Sequence, residues 1–263
     1  MTARPDVPPG CHLIARDSVG STSEDARVLA GEGAPHLTIV WAREQTAGRG
    51  RHGRSWVSPR GNLYLSILLR PDCTVADATQ IGFVVGAAMA RAIRGVAQSD
   101  NGTDNGSEVT LKWPNDLLLD GGKLSGLLLE SAARPDGSLD WVIAGIGVNV
   151  ESRPDVPGAT SLRDAGHAVS VEALLEAFLP HLVEMLDLWA REGFMLVRAI
   201  WSALALAPDT ELSVKLPGGE RAGTFAGIDE RGNLMLRTGG TIEHIAVGDV
   251  FPLSTKSRNL GAD

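Results

Sequence analysis

Cysteine is almost absent: Cys11 and Cys73 are the two in 263 residues, and they show no C-x-x-C spacing. That excludes a disulfide framework and a thiolate zinc site, and it fits a reducing cytoplasmic setting. The N-terminal "MTARPDVPPGCHLI" has no apolar core of the kind a leader peptide carries, and no uninterrupted apolar run of 18 residues occurs. Export and membrane spanning are therefore not expected. On that view the sequons at Asn101 and Asn105 are chance matches in a surface loop. An excess of positive charge is also missing. The net charge is -8, which argues against general affinity for nucleic acid, because such binding neutralises phosphates with Lys and Arg.

What is present is an ordinary globular composition, 43% hydrophobic and 21% charged. It suits one large domain, or a large domain with a small appendage. "STSEDARVLAGEG" predicts a helix from about Glu24 to Gly31 or Gly33, with Ser21, Thr22 and Ser23 as candidate caps. Residues 37–42 and 62–70 read as strands, the second by its alternation, and 75–96 as an apolar core helix. Residues 97–108 are small, polar and Gly-rich and predict an irregular excursion. Asp120, Gly121 and Gly122 predict a hairpin turn between two apolar runs. Ser170 caps a helix reaching toward Trp189, with Pro180 inside it, and a further helix spans 194–206. After Pro208 the texture changes to four or five short strands separated by PGGE, DERGN and TGG, which predicts a small barrel. The expected boundary lies near residue 207, giving domains 1–207 and 208–263, and no internal repeat is visible.

The stretch "QTAGRGRHGRSW" (45–56) has the G-x-G-x-x-G spacing of a dinucleotide-binding turn. Such a turn must lead directly into a helix whose N-terminus holds pyrophosphate. Here "SWVSPRGNLYLS" follows, and Pro59, Gly61 and Asn62 predict turn and strand instead. Two readings stay open on the residues alone: a solvated basic loop, or a small-anion site in which glycine backbone approaches the ligand and guanidiniums grip it. Trp56 is either a core residue or a flat face for stacking. A second constellation, "KWPND" (112–116) with "GGKLSG" (121–126), sets Lys112, Asn115, Asp116 and Lys123 around turns. Asn and Asp there can equally serve as turn formers. "GIGVNV" (145–150) has two glycines inside a strand, as where a ligand approaches closely. Together these suggest a pocket for an ATP-like ligand.

In order and mutual spacing, "GSTS", "EQTAGRGRHGRSW", "KWPNDLLLDGGKLSGLLLE" and "GIGVNV" closely resemble the biotin protein ligases, over roughly residues 17–150. The resemblance implies an α/β fold: a mixed-sheet catalytic domain of the class II synthetase-like type, followed by an SH3-like β-barrel. It implies ATP-dependent activation of biotin to biotinyl-5'-AMP with Mg²⁺, then transfer to a lysine of a biotin carboxyl carrier protein. With about 16 residues ahead of "DSVGSTS", a monofunctional ligase without an N-terminal DNA-binding domain is expected. By position, Ser21, Thr22, Ser23 and Gln45 meet the biotin ureido group. Ser23 stands where family members usually have Asn, shorter but still able to donate and accept. Arg49, Gly50 and Arg51 close over biotin and its adenylate, joined by Arg54 and by Trp56 on the adenine side. His52 has no assigned role. Lys123 touches the carboxylate and α-phosphate, and Gly126, Gly145 and Gly147 line the biotin side. Lys112, Asn115 and Asn149 line the nucleotide, Asp116 is the first candidate for Mg²⁺, and Lys123, Arg51 and Asp116 form the catalytic set. The loop 48–56 is expected to move when ligand binds. Two rivals are a lipoate or octanoate ligase and a non-catalytic nucleotide- or RNA-binding module.

Overall fold

The computed structural model describes residues 5–99 and 107–253. Its twelve strands form two sheets. The first has seven strands: β1 (His12–Val19), β2 (Thr38–Gln45), β3 (Leu63–Leu69), β4 (Val109–Lys112), β5 (Asp116–Leu119), β6 (Gly122–Ala133) and β7 (Leu139–Val148), in the order β1-β2-β3-β7-β6-β5-β4. β1 and β2 are parallel and the remaining pairs antiparallel, so the sheet is mixed, as the resemblance implied. The second sheet is antiparallel: β8 (Glu211–Leu216), β9 (Gly219–Ile228), β10 (Leu234–Thr238), β11 (Thr241–Ile245) and β12 (Asp249–Pro252), ordered β11-β10-β9-β8-β12. Its five strands match the number expected for the barrel, although the ladder does not join β11 to β12.

Helices cover both faces of the large sheet. On one face, Ala26 and Ala30 of α1 (Thr22–Gly31) pack on Val40, Leu68 and Ile143. The opposite face meets α2 (Ile81–Ser99), with α3 (Val171–Glu192) and α4 (Phe194–Ala203) in the same core. Every residue of β3 is therefore buried, not the alternate ones that a half-exposed strand would show. Asp77–Ala97 is the one helical stretch among the described residues long and apolar enough to cross a membrane. Here it is a core helix, with Val84, Val85, Ala88 and Met89 fully buried.

Several boundaries move from the sequence expectation. α1 starts at Thr22, two residues early, because Glu24 and Asp25 N–H already donate to Ser21 O. α4 stops at Ala203, not 206, because Leu204 O and Leu206 N bond the backbone of Leu111 and extend the β4 edge. β1 was not expected as a strand; its mostly exposed side chains give it no apolar pattern. The turn at Asp120 and Gly121 has positive φ at both positions, which a two-residue hairpin of this kind requires. Ser170 accepts from Ala173 N–H, as its predicted cap role requires. Most of the predicted excursion at 97–108, with both sequons' asparagines, lies outside the described residues.

Candidate active site

Every residue singled out from the sequence as a site residue lines one cavity of about 650 Å³ on the α1 face of the large sheet; His52, left unassigned, does not. The cavity floor is the β6–β7 ladder. Gly126 pairs with Gly147, and Gly145 lies two residues back along the strand, opposite Ser66 of β3. These glycines are needed for space. A Cβ on Gly147 would sit 2.4 Å from Trp56 Nε1, one on Gly126 would come within 3.1 Å of the same indole, and one on Gly145 within 2.7 Å of Ser23 Oγ. The indole thus lies flat across bare backbone, and α1 begins hard against the sheet.

At the uncharged end, α1 presents its first turn. Ser21 heads the helix without a side-chain cap bond. Thr22 N–H and Oγ1 both donate to Gln45 Oε1, at 2.9 and 3.1 Å. Gln45 Nε2 donates to Ser58 Oγ at 3.0 Å, and Ser58 Oγ to Trp56 O at 2.8 Å. Ser66, fully buried, bonds Thr22 Oγ1 at 2.8 Å and Ser23 Oγ at 3.0 Å. Sequence reasoning missed Ser58 and Ser66. The only available signal for Ser66 was one hydroxyl interrupting "LYLSILL".

At the charged end, Asp116 is nearly buried between two ammoniums, Lys112 Nζ at 2.8 Å and Lys123 Nζ at 2.7 Å. Lys112 also donates to Val250 O at 3.0 Å. Lys123 lies 5.7 Å from the Trp56 ring centroid, and its backbone is clipped to the neighbouring loop through Gly158 O and Thr160 N–H. Asn115 and Asn149 act here as braces. Asn115 Nδ2 donates to Leu127 O and Asn149 Nδ2 to Thr160 O.

The arginine loop is held at both limbs. Arg49 pairs with Glu130 at 3.1 Å and Glu24 at 3.4 Å, and Arg27 bonds the same two carboxylates at 2.7 Å each. The other limb meets Asp249 of β12, which accepts from Arg51 at 3.2 Å and from Arg54, with His52 at 3.7 Å. Burial would raise the Asp249 carboxyl, but the Arg54 hydrogen bond and the charges of Arg54, Arg51 and His52 outweigh it and hold it below its ordinary range. Arg51 also donates to Asn115 Oδ1 at 3.2 Å. A single short turn, Arg51–Gly53, with His52 at a left-handed φ of 55°, stands after Gly50 in place of a helix, so the dinucleotide reading fails on geometry as well. Asp249 was not expected, because a lone acidic residue in "VGDV" reads as a turn former.

Among the described residues no group of three or more His, Cys, Asp or Glu is placed to hold a metal. Asp116 is one carboxylate already shared by two lysines, so a divalent ion here would need further oxygens from a bound ligand.

Residues 23–149 match the Biotin/lipoate A/B protein ligase family, and residues 212–251 match the Biotin protein ligase C terminal domain. A biotin--[acetyl-CoA-carboxylase] ligase of Paracoccus denitrificans is 37% identical over 247 residues, 91% of this chain and 99% of that one. The chain belongs to the biotin protein ligase family. The bifunctional ligase/repressor BirA of Bacillus subtilis is 34% identical, covering 92% of this ligase and 74% of that protein. The biotin protein ligase of Aquifex aeolicus, solved in complex with biotin and ATP, superposes with a TM-score of 0.75 at 29% identity, covering 91% of this ligase and 97% of that chain.

Proposed function

We propose that the chain uses ATP to convert biotin to biotinyl-5'-AMP and passes the biotinyl group to a lysine of a biotin carboxyl carrier protein. The observation that carries this reading is the two-ended cavity. Hydroxyls and an amide at Ser21–Ser23 and Gln45 suit a neutral cyclic urea. Lys112, Lys123, Arg51 and Arg54 at the other end suit a carboxylate beside phosphates.

In the first step a biotin carboxylate oxygen attacks the α-phosphorus, and the bond from that phosphorus to the departing pyrophosphate breaks. Two anions must meet, so fixed cations are needed where negative charge accumulates. Lys123 serves the carboxylate and α-phosphate, and Arg49, Arg51 and Arg54 grip the adenylate. Trp56 stands on the adenine side, with Lys112, Asn115 and Asn149 along the nucleotide. Gly126, Gly145 and Gly147 give biotin close approach to the strands, with Gly50 in the covering loop. Asp116 is the residue that would hold Mg²⁺, together with phosphate oxygens of the bound nucleotide, and the ion would offset negative charge on the phosphates. In the second step the carrier lysine's amine attacks the anhydride carbonyl. An amide forms, AMP leaves, and the amine gives up a proton. The same reading divides the chain into a catalytic part, 1–207, and a barrel part, 208–263, and places it in the reducing cytoplasm, which the two free cysteines suit.

The test is pyrophosphate release with biotin, and separately with lipoate, followed by mass analysis of an acceptor carrier domain. Release with biotin and one biotinyl adduct on the carrier is the expected result. Release with lipoate alone, or with neither acid, overturns the proposal.

A further inference from the structure

We infer that Ser66, a residue outside the set assigned above, is a positioning residue that fixes the polarity of the biotin pocket. This rests on the biotin-activating reading. Ser66 takes the hydrogen of the Ser23 hydroxyl and so leaves Ser23 an obligatory acceptor, beside Thr22, whose own hydrogen goes to Gln45.

The hydrogen positions follow from elimination. The backbone N–H of Thr22 can only donate, so the Gln45 atom 2.9 Å from it is the carbonyl oxygen, Oε1. That oxygen cannot donate, so the Thr22 hydroxyl at 3.1 Å donates to it and has no hydrogen left. The 2.8 Å contact between Thr22 Oγ1 and Ser66 Oγ then requires Ser66 to be the donor. Its hydrogen being spent, the 3.0 Å contact to Ser23 requires Ser23 to donate to Ser66. The amide continues the same direction through Gln45 Nε2 to Ser58 and from Ser58 to Trp56 O. A hydroxyl has one hydrogen and two lone pairs. The chain Ser23 to Ser66 to Thr22 to Gln45 to Ser58 to Trp56 therefore runs one way.

The consequence lies on the cavity side. Ser23 and Thr22 both line the cavity, and both have only lone pairs left to offer. They can accept from a ring N–H but cannot donate to a ring oxygen. Gln45 Nε2 keeps its second hydrogen and supplies a donor in the same group. With the Ser21 hydroxyl outside this relay, the relay itself presents two fixed acceptors beside one donor, which complement a cyclic urea with its two N–H groups and one carbonyl. Ser66 itself is fully buried and touches the ligand only through its neighbours. The bare Gly145 opposite it lets Ser23 sit against the strand at the distance this relay needs.

Replacing Ser66 with Ala frees the Ser23 hydrogen to rotate into the cavity. The discriminating probe is the biotin analogue in which the ureido N–H facing Ser23 is replaced by a ring oxygen, a cyclic carbamate. The isomer with its oxygen facing Thr22 serves as the control, since Thr22 still donates to Gln45 in the variant. Against fixed acceptors that oxygen meets lone pairs; against a free hydroxyl it meets a donor. We expect wild type to favour biotin over the carbamate strongly in kcat/KM. In Ser66→Ala the ratio should narrow by about tenfold or more, as loss of one buried hydrogen bond allows. KM for biotin should rise while KM for ATP stays within about twofold, since the nucleotide end shares no bond with Ser66. Ser66→Cys preserves the packing and keeps a weak donor, and it should fall between the two. Both variants are checked for a wild-type melting transition, and calorimetric biotin binding without ATP gives the same comparison free of turnover.

An unchanged biotin-to-carbamate ratio in a folded Ser66→Ala or Ser66→Cys protein overturns the inference and leaves the ligase reading standing. Failure of wild type to bind biotin or release pyrophosphate overturns the ligase reading itself.

Discussion

Lys112 and Lys123 share one carboxylate but differ in what else holds them. The Lys112 side chain is 13% exposed and is tied to Val250 O as well as Asp116; the Lys123 side chain is 40% exposed and faces the cavity. Lys123 can therefore turn its ammonium to a substrate while Lys112 keeps Asp116 compensated. Lys123→Ala should lower the adenylation rate by about 10²- to 10³-fold, as loss of one preorganised charge-stabilising donor does, with little change in melting temperature. Lys112→Ala should lower the melting temperature, because Val250 O loses its side-chain donor and Asp116 keeps a single partner. Pyrophosphate release and calorimetry on the two proteins separate these outcomes. Gly147→Ala must displace the indole of Trp56 and should abolish adenylation while the strand survives. These residues were legible in the sequence because lysines beside turns and glycines within a strand are anomalies. Ser66 and Ser58 were not, since a serine's hydroxyl partners come from segments distant in the chain.

At the scale of elements, the arginine loop is suspended between two supports. Glu24 on α1 and Glu130 on β6 hold Arg49, and Asp249 on β12 holds Arg51 and Arg54. The sequence showed the loop and its cations and led to the expectation of a segment that moves on ligand binding. It did not show the carboxylates that hold the cations at rest, because ion pairing across sheets leaves no local pattern. Asp249→Asn removes one support, so amide exchange across 50–54 should quicken. Biotinyl-AMP should also be lost to hydrolysis faster, since a loosened cover admits water. In wild type the Asp249 carboxyl is held below its ordinary range. The support therefore persists through that range and is lost only as pH falls through the depressed folded-state value. Hydrogen exchange measured for both proteins tests this: equal exchange rates at neutral pH would remove Asp249 as a support.

For the molecule as a whole, the question is what couples the second sheet to the catalytic one. One apolar core runs through both, from Leu65 and Val84 to Leu212, Phe225 and Leu236. Trp113, in the turn that carries Asn115 and Asp116, donates Nε1–H to Gly232 O at 2.9 Å. Gly232 belongs to the β9–β10 turn, where φ is +83° and an added Cβ would lie 2.6 Å from Phe83. The Asp229 carboxylate organises that turn. It accepts from the backbone N–H of Arg231 and Asn233 at 2.9 and 2.8 Å, from Asn233 Nδ2 at 2.9 Å and from the His244 ring at 2.8 Å. Burial opposes its ionisation, yet these donors prevail and bring its pKa down from 3.8 to about 2. A carboxyl whose folded-state pKa lies below its unfolded value stabilises the fold above the unfolded value. That contribution is lost as pH falls through the folded one. The window is therefore pH 4 to 2, and the melting temperature of wild type should fall across it more steeply than that of Asp229→Asn. Neutral Asn keeps one acceptor oxygen but has no charge to lose, so at pH 7 the variant should melt lower and near pH 2 the two should converge. Because the turn contacts Phe83 and Trp113, the loss should appear as one shifted transition rather than as a separate early melting of the second sheet. Scanning calorimetry of both proteins from pH 7 to pH 2 measures it. Parallel curves would mean that Asp229 does not couple the sheets through its charge.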